Sequence, residues 1–583
     1  MTKAVILHSI KDVKHCLKHE LHKGAILFSA NVNVVCYLRD RYELKCEDLC
    51  SHFSRQEIFH IQESMLQLSN SLLEELDQQI SPILNQQLDL HISYFKPLYS
   101  FIAARQLSLY FLLTESLNRV LNQFEDIMIY EGLMGPLKCS TDTFFNRMFS
   151  SNCFQTIRYY NPVQEEIAII DNVEINEIPE LLQQYDGWQT NNLSKGKKTQ
   201  NRNVLILGPS KKMRNFLQDM EKIDVYHVDL EIFRRNKCNY VISDRIFPSA
   251  NSLSSVQLLT SNIRNNLCYL YEIIIEDFCL NIVQYLKILH FYKMLHEKVP
   301  ISNLFWESAP ALDIGALLVE YFMSNQTTQV IGIQSSPTFF VGQLVSCYDE
   351  VAIFSRCHTF LTRGYTREEL EDVYNDNSCY MRIVPPRSLT EEVGEEVSAI
   401  NDKEKVDIVF FITPTASFIQ VGLMSGTYMQ EEIIELLDSV QTKTVHIVIQ
   451  KYSDYGNTAM LSKLESLKNI TLIRADVDKY LSKYSPKLIF AEFPSPLFED
   501  ILNENIPIVL VKNPMYNLTK FAFNEIIKRF YYVEKLDDVK KILHEFSNGF
   551  LETKTNVVYK NKFLNLEGYK EFIYQVLVSK GTT

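Results

Sequence analysis

Residues 487–512 read KLIFAEFPSPLFEDILNENIPIVLVK. An apolar run ends at Phe493-Pro494-Ser495-Pro496, gives way to the mixed LFEDILNE, and is followed at once by a second apolar run, IPIVLVK. Both runs are too short and too continuously apolar for half-exposed strands. They read as strands buried on both faces, which in a strand–helix–strand unit means parallel strands under helices. Ser495 suits the N-cap and Pro496 the first helical position, where no N–H is needed, with Glu499 in the first turn. A helix N-terminus at the carboxyl end of a strand is a natural phosphate site, through its open N–H groups and its dipole. Taken alone, the Ser-Pro pair reads first as an ordinary capped helix.

The same texture extends in both directions. Strand candidates lie at 24–30, 126–132, 203–210, 225–229, 239–244, 303–309, 329–336 and 350–355, and again at 406–415, 444–450 and 470–476. The N-terminal MTKAVILHSIKDVKHCLKHE reads as a first strand and helix. Alternating strands and helices predict α/β domains with open, doubly wound sheets. Two amphipathic stretches, 54–84 and 254–298, exceed a simple crossover and predict helical insertions in the N-terminal part. The polar run 186–203 and the charged run 387–405 are the expected linkers. The second separates two sets of strands, so the main boundary is placed inside 385–406, giving units of 1–390 and 391–583. At roughly 150 residues per domain, 583 residues accommodate this division.

The formal charge of −13 argues against a general nucleic-acid binder. No run approaches the ~18 apolar residues of a membrane span. The twelve cysteines are scattered, with Cys46/Cys50 the closest pair and none beyond Cys379. That is a reduced, cytoplasmic pattern rather than a disulfide framework or zinc ribbon. No closed Cys/His ligand set is present, so no metal is expected. His15, His19 and His22 share a helical face, but Lys14, Lys18 and Lys23 interleave and make it a solvated one. The basic run 194–198 reads as a solvated linker, with a phosphorylated or phospholipid contact as the alternative.

Ligands of such sheets bind beyond the carboxyl ends of the strands, so the chemistry is sought there. In the second unit, Thr413, Thr415 and Ser417 follow one apolar run, Ser495 and Pro496 a second, and Lys512 ends a third. Hydroxyls, an ammonium and an open helix start together fit a nucleotide phosphate pocket. In the first unit Gly208-Pro209-Ser210 resembles the glycine turn of a nucleotide-binding unit without a full G-x-G-x-x-G, and no P-loop occurs. Glu131 and Glu307 also end apolar runs and are the candidate general bases or nucleophiles, though either reads equally as a helix-start acid. In TTQVIGIQSSPTFF (327–340), Gln334, Ser335 and Ser336 would line a cleft with Phe339 and Phe340 behind.

These pieces carry a family resemblance. Gly332-Ile333-Gln334, Phe360-Leu361-Thr362-Arg363-Gly364 and Pro386-Arg387, with the 487–511 unit, resemble GT-B glycosyltransferases of bacterial surface carbohydrate. That group includes capsule and O-antigen enzymes using CMP-linked Kdo or related acids, and teichoic-acid-type polymerases. The resemblance spans about residues 300–540. It implies a GT-B-like fold, two Rossmann-like domains facing across a cleft, with the nucleotide-sugar on the second and a glycan or glycolipid acceptor on the first. It implies no bound cofactor beyond the nucleotide-sugar co-substrate; the expected location is the cytoplasm, with peripheral contact at the cytoplasmic face of the inner membrane as an option. Two departures bear on chemistry. Ser335-Ser336 stands where the group has His-Gly, and Ile449-Gln450-Lys451-Tyr452 where it has a His-Pro. Proton transfer then falls to a carboxylate, Glu131 or Glu307. The alternatives are a noncatalytic glycan-assembly protein on a degenerate GT-B fold and a nucleotide-sugar epimerase of the same architecture.

Overall fold

The computed structural model describes residues 3–29, 31–49, 51, 53–121, 123–130, 155–157, 170–173, 202–207, 223–228, 240–242, 247–307, 314–333, 342–343, 357–362, 380–383, 403–412, 424–440, 443–449, 464, 467–492, 501, 505–512, 517–518 and 520–554. The first sheet holds β1 (Lys3–Ile6), β2 (Ala25–Ser29), β3 (Cys46–Asp48), β4 (Asp126–Tyr130) and β5 (Gln155–Ile157), all parallel, in the order β3-β2-β1-β4-β5. Helices α1 (Ile10–Lys18) and α2 (Val32–Tyr42) make its crossovers. Ser9 caps α1 in a full capping box: its hydroxyl accepts from Asp12 N, and Asp12 Oδ2 accepts from Ser9 N and His8 N.

The expected helical insertion stands between β3 and β4 as α3 (Arg55–Leu88) and α4 (Phe95–Leu121). A second capping box, Ser54 with Glu57, starts α3. Asp77 of α3 caps α4 from the side: Oδ1 accepts from Tyr94 N and Phe95 N, and Oδ2 from Lys96 N. The hairpin register is thereby fixed by a side chain seventeen residues upstream of Tyr94.

The middle sheet takes β7 (Arg202–Leu207), β8 (Ile223–Val228), β10 (Asn303–Glu307), β11 (Gln329–Ile333), β13 (Thr359–Thr362) and β14 (Tyr380–Ile383), all parallel. Its order is β14-β13-β11-β10-β7-β8, a doubly wound sheet whose strand order reverses between β7 and β10. A short parallel pair, β6 (Ile170–Val173) with β9 (Tyr240–Ile242), lies outside it. The second insertion appears as α5 (Ser254–Gln257) and α6 (Ser261–Lys298), and α7 (Ile314–Ser324) crosses from β10 to β11.

The last sheet holds β15 (Glu404–Ile412), β16 (Val445–Ile449), β17 (Ile470–Arg474), β18 (Tyr484–Ala491), β19 (Ile508–Val511) and β21 (Tyr531–Val533) in the order β17-β16-β15-β18-β19-β21. All are parallel, in the order of dinucleotide-binding sheets with the reversal between β15 and β18. Its helices are α8 (Met424–Asp438), α9 (Val477–Lys483), α10 (Lys520–Arg529) and α11 (Leu536–Ser547). All five residues of β16, VHIVI, are buried, His446 among them.

The fold class is α/β with parallel Rossmann-like sheets, as expected, and the last two sheets form the GT-B-like pair. One feature exceeds the expectation: residues 1–390 carry two large sheets, not one. Alternation along the strands explains how three sheets share a body. Ala4 and Ile6 face the helical layer while Val5 and Leu7 face α1 and α2. On β15, Val409 and Phe411 join the core of that same layer, whereas Ile408, Phe410 and Ile412 build a separate core with α8 and α11. Each Leu, Ile or Phe so buried contributes roughly 1.5–3 kcal/mol.

Among the described residues, neither six-stranded sheet takes strands from both sides of the boundary segment: β14 ends at Ile383 and β15 begins at Glu404, within 385–406. A two-residue antiparallel ladder does cross it, pairing β12 (Gly342–Gln343) with β20 (Asn517–Leu518). The two segments leave the carboxyl ends of β11 and β19, so loops from the two carboxyl edges meet. The candidate strand at 350–355 and residues 387–402 of the charged linker lie outside the described residues.

Candidate functional site

The last sheet's reversal falls between Ile412, the end of β15, and Ala491, the end of β18. Thr413, Thr415 and Ser417 follow the first of these in the chain, and Ser495 and Pro496 the second. These five lie outside the described residues, but the strands that deliver them are neighbours in register, Phe411 opposite Ala491. Two hydroxyl-bearing segments thus leave adjacent strand ends at the position where such sheets take ligands.

The first described residue at that edge is Glu492, 5% exposed. Its Oε2 accepts from Gln430 Nε2 of α8 at 2.7 Å. The strand-end pattern that picked out Ser495 also marks Glu492, three residues earlier, as an acid ending the apolar run. Next to Gln430, Glu431 is buried and meets a different partner. Arg39 of α2, in the first sheet, donates to both its oxygens, Nη1 to Oε2 at 2.9 Å and Nη2 to Oε1 at 2.5 Å. Nothing local in the sequence links positions 392 residues apart.

Lys512 follows β19, one strand from the reversal, but its ammonium is held by Glu534 Oε1 at 2.9 Å. With the two side chains 30% and 48% exposed, this is a partly solvated surface pair.

In the middle sheet, Glu307 pairs with Ile333, and Trp306 with Leu207. Glu307 and the residues following Leu207 and Ile333, namely Gly208 and Gln334, therefore issue from three adjacent strands at one carboxyl edge. Gly208, Ser210, Gln334, Ser335 and Ser336 lie outside the described residues, and Glu307 is placed by its backbone. Glu307 and Gly208 flank the middle sheet's own reversal. Glu131 also lies outside the described residues, but it follows Tyr130 of β4 and so belongs to the first sheet. The two candidate acids therefore issue from different sheets.

At the first sheet's reversal, between β1 and β4, stands His8. Burial lowers its pKa to about 3, so the imidazole is neutral. His15 is half-buried, with Nδ1 2.9 Å from the Tyr130 hydroxyl, rather than fully solvated with His19. His446, whose pKa burial also lowers, lies near the amino end of β16 with Nδ1 3.0 Å from Tyr480 OH. That is the wrong edge for a ligand. No group of three His, Cys, Asp or Glu side chains among the described residues is arranged to hold a metal. No described helix is long and apolar enough to cross a membrane.

No protein-family profile matches the chain, and no curated protein does. Among solved structures it is similar to UDP-GlcNAc 2-epimerase from Neisseria meningitidis (11% identity, 65% of this chain and 100% of that one, TM-score 0.39). It is also similar to sucrose-phosphate synthase from Thermosynechococcus elongatus (13% identity, 51% and 78%, TM-score 0.32). A third similar structure is the spinosyn rhamnosyltransferase SpnG (12% identity, 64% and 95%, TM-score 0.29). At these scores the fold assignment rests on the strand orders above.

Proposed function

We propose that the chain transfers a sugar from a nucleotide-activated donor to a glycan acceptor. The observation carrying this reading is the last sheet's strand order, which sets its crossover between the two strand ends followed by Thr413, Thr415, Ser417, Ser495 and Pro496. Residues 391–583 are the donor unit and the middle sheet holds the acceptor. Glu307 is the preferred proton-transfer group because it flanks that sheet's reversal; Glu131, on the first sheet, is the second choice. The finer assignment, resting on the sequence resemblance, is a CMP-linked Kdo or sialic-type donor and a bacterial surface glycan. A lipid-linked acceptor would bring the chain to the cytoplasmic face of the inner membrane. No cofactor beyond the co-substrate is required.

Calorimetry with CMP, UDP, GDP and dTDP, followed by transfer assays with the matching sugars, tests this. Ser495→Ala removes a hydrogen bond to a charged group, worth about 1.5–3 kcal/mol, or roughly 10- to 150-fold in affinity. Glu307→Gln should abolish most turnover, by about 10²–10⁴-fold, while nucleotide affinity stays, because the donor sits on the other sheet. Interconversion of the nucleotide-sugar without acceptor would mark an epimerase instead. Absence of nucleotide binding would leave a noncatalytic assembly protein.

A further inference from the structure

The first sheet has no part in donor or acceptor binding as described above, yet it touches the last sheet through a specific polar contact. Arg39 meets Glu431 with two parallel N–H···O bonds, the geometry that fixes direction as well as distance. Its Nε and Nη2 are also engaged by Asp40, at 2.6 and 3.2 Å, so the guanidinium is oriented from both sides. Cys36 Sγ lies 3.9 Å from the same Glu431 Oε1. Glu431 is buried, and a buried carboxylate needs its cation.

What Arg39 holds is the helix that matters most for phosphate binding. In a sheet of this order the helix following the first strand points its N-terminus at the ligand. Here that helix is α8, and Glu431 lies about 10 Å along it from Met424, at 1.5 Å per residue. The adjacent side chain, Gln430, holds Glu492 at the strand end beside the crossover. One turn of α8 is thus fixed on one side by the first sheet and on the other by the edge of the last.

We infer that Arg39 is a positioning residue for the nucleotide pocket: through Glu431 it sets α8, and through Gln430 it sets Glu492 at the carboxyl end of β18. This rests on the nucleotide reading above. It gives the first sheet a task, that of a brace for the donor site supplied from outside the two-sheet unit.

Arg39→Met keeps the side-chain stem and removes the fork; Glu431→Gln keeps the shape and removes the charge. Two readouts are taken on the full chain: nucleotide affinity by calorimetry, and hydrogen exchange over 424–438 and 484–492. Each single variant should weaken nucleotide binding by roughly 5- to 150-fold, the range of coupling between sites, and speed exchange in both segments. The double variant should be little worse than Glu431→Gln alone, since Arg39 acts through that carboxylate. A merely structural Arg39 would speed exchange within 3–42 and leave affinity and the 484–492 segment unchanged; that result overturns the inference. Additive effects in the double variant overturn the route through Glu431. If the wild-type chain binds none of the four nucleotides, the functional reading fails by itself. Exchange at 484–492 then still decides whether Arg39 sets that strand end.

Discussion

Acidification from neutral pH to about pH 5 should loosen the first sheet through His8. Its imidazole is buried at the carboxyl end of β1, and burial lowers its pKa to about 3, against about 6.5 in an unfolded chain. Between those two values the unfolded state binds a proton that the folded state refuses. Stability contributed here therefore rises with pH across the window and falls as pH drops through it. Integrating the difference gives a loss of about 2 kcal/mol on going from neutral pH to about pH 5. That corresponds to roughly a 30-fold rise in the population of any opened state that wets His8.

The assay is hydrogen exchange at β1, where Leu7 N donates to Phe28 O across the sheet at 2.9 Å, measured against pH and corrected for intrinsic exchange. Burial lowers the pKa of His15, His358 and His446 as well, so they push in the same direction. The comparison must therefore be with His8→Leu, which removes the titrating group and keeps an apolar side chain of similar size. Wild type should lose protection of β1 on acidification about 30-fold more than the variant. Equal slopes would refute the reasoning, because they would mean that His8 protonates as readily folded as unfolded.

Three further outcomes follow from single contacts. Asp77→Ala strips the acceptor from three backbone N–H groups at the start of α4 and should cost about 2 kcal/mol in urea denaturation, with Asp77→Asn costing less; an unchanged midpoint would deny the cap. Gly342→Cys with Leu518→Cys, directly opposed in the antiparallel ladder, should form a disulfide on mild oxidation, since such pairs fall within the permitted Cα separation; failure to crosslink would remove the ladder joining the two edges. Lys512→Met should change stability by less than about 1 kcal/mol, as for other surface ion pairs, so any larger loss of nucleotide affinity in calorimetry would assign Lys512 to the phosphates, and unchanged affinity would leave it to Glu534.

The buried strands were legible because their pattern is local: IVLV of β19 is apolar throughout and buried throughout, and VHIVI of β16 is buried throughout with His446 as its one polar residue. The shortest edge strands were not. Cys46–Asp48 and Tyr531–Val533 are three residues each and are strands because a neighbour offers hydrogen bonds, not because of their own pattern. The separate first sheet was hidden for a related reason. Its third and fourth strands are divided by α3 and α4, and the pairing of Lys3 with Asp126 is a long-range fact that local periodicity does not encode. At the candidate site, strand ends are readable from the sequence because each apolar run stops abruptly, and Glu492 ends its run in the same way as the Ser495 segment that follows it. Arg39 gave no signal at all: an arginine in a charged helix reads as solvated until Glu431 is brought against it.

Between the first and last sheets, electrostatics favours the last for the anionic donor proposed above. The helix after β1 carries Asp12 in its first turn, and that buried carboxylate accepts from the N–H groups of His8 and Ser9. A phosphate there would find those donors taken and a negative charge already in place, at a cost greater than the helix dipole returns. The corresponding helix of the last sheet, α8, carries no acidic residue in its first turn, so its dipole is not offset by a local carboxylate. Its acids come later: Glu431 is neutralised by Arg39, and Glu492 beside it is bonded by Gln430. The first sheet thus has the strand order of a nucleotide binder with its helix start occupied by its own carboxylate. The last has the same order with the helix start free of acids and the nearest buried charge neutralised from outside. On the nucleotide reading proposed above, that asymmetry suits the last sheet to binding and the first to bracing, and it places Arg39 where its removal leaves Glu431 buried on α8 without its cation.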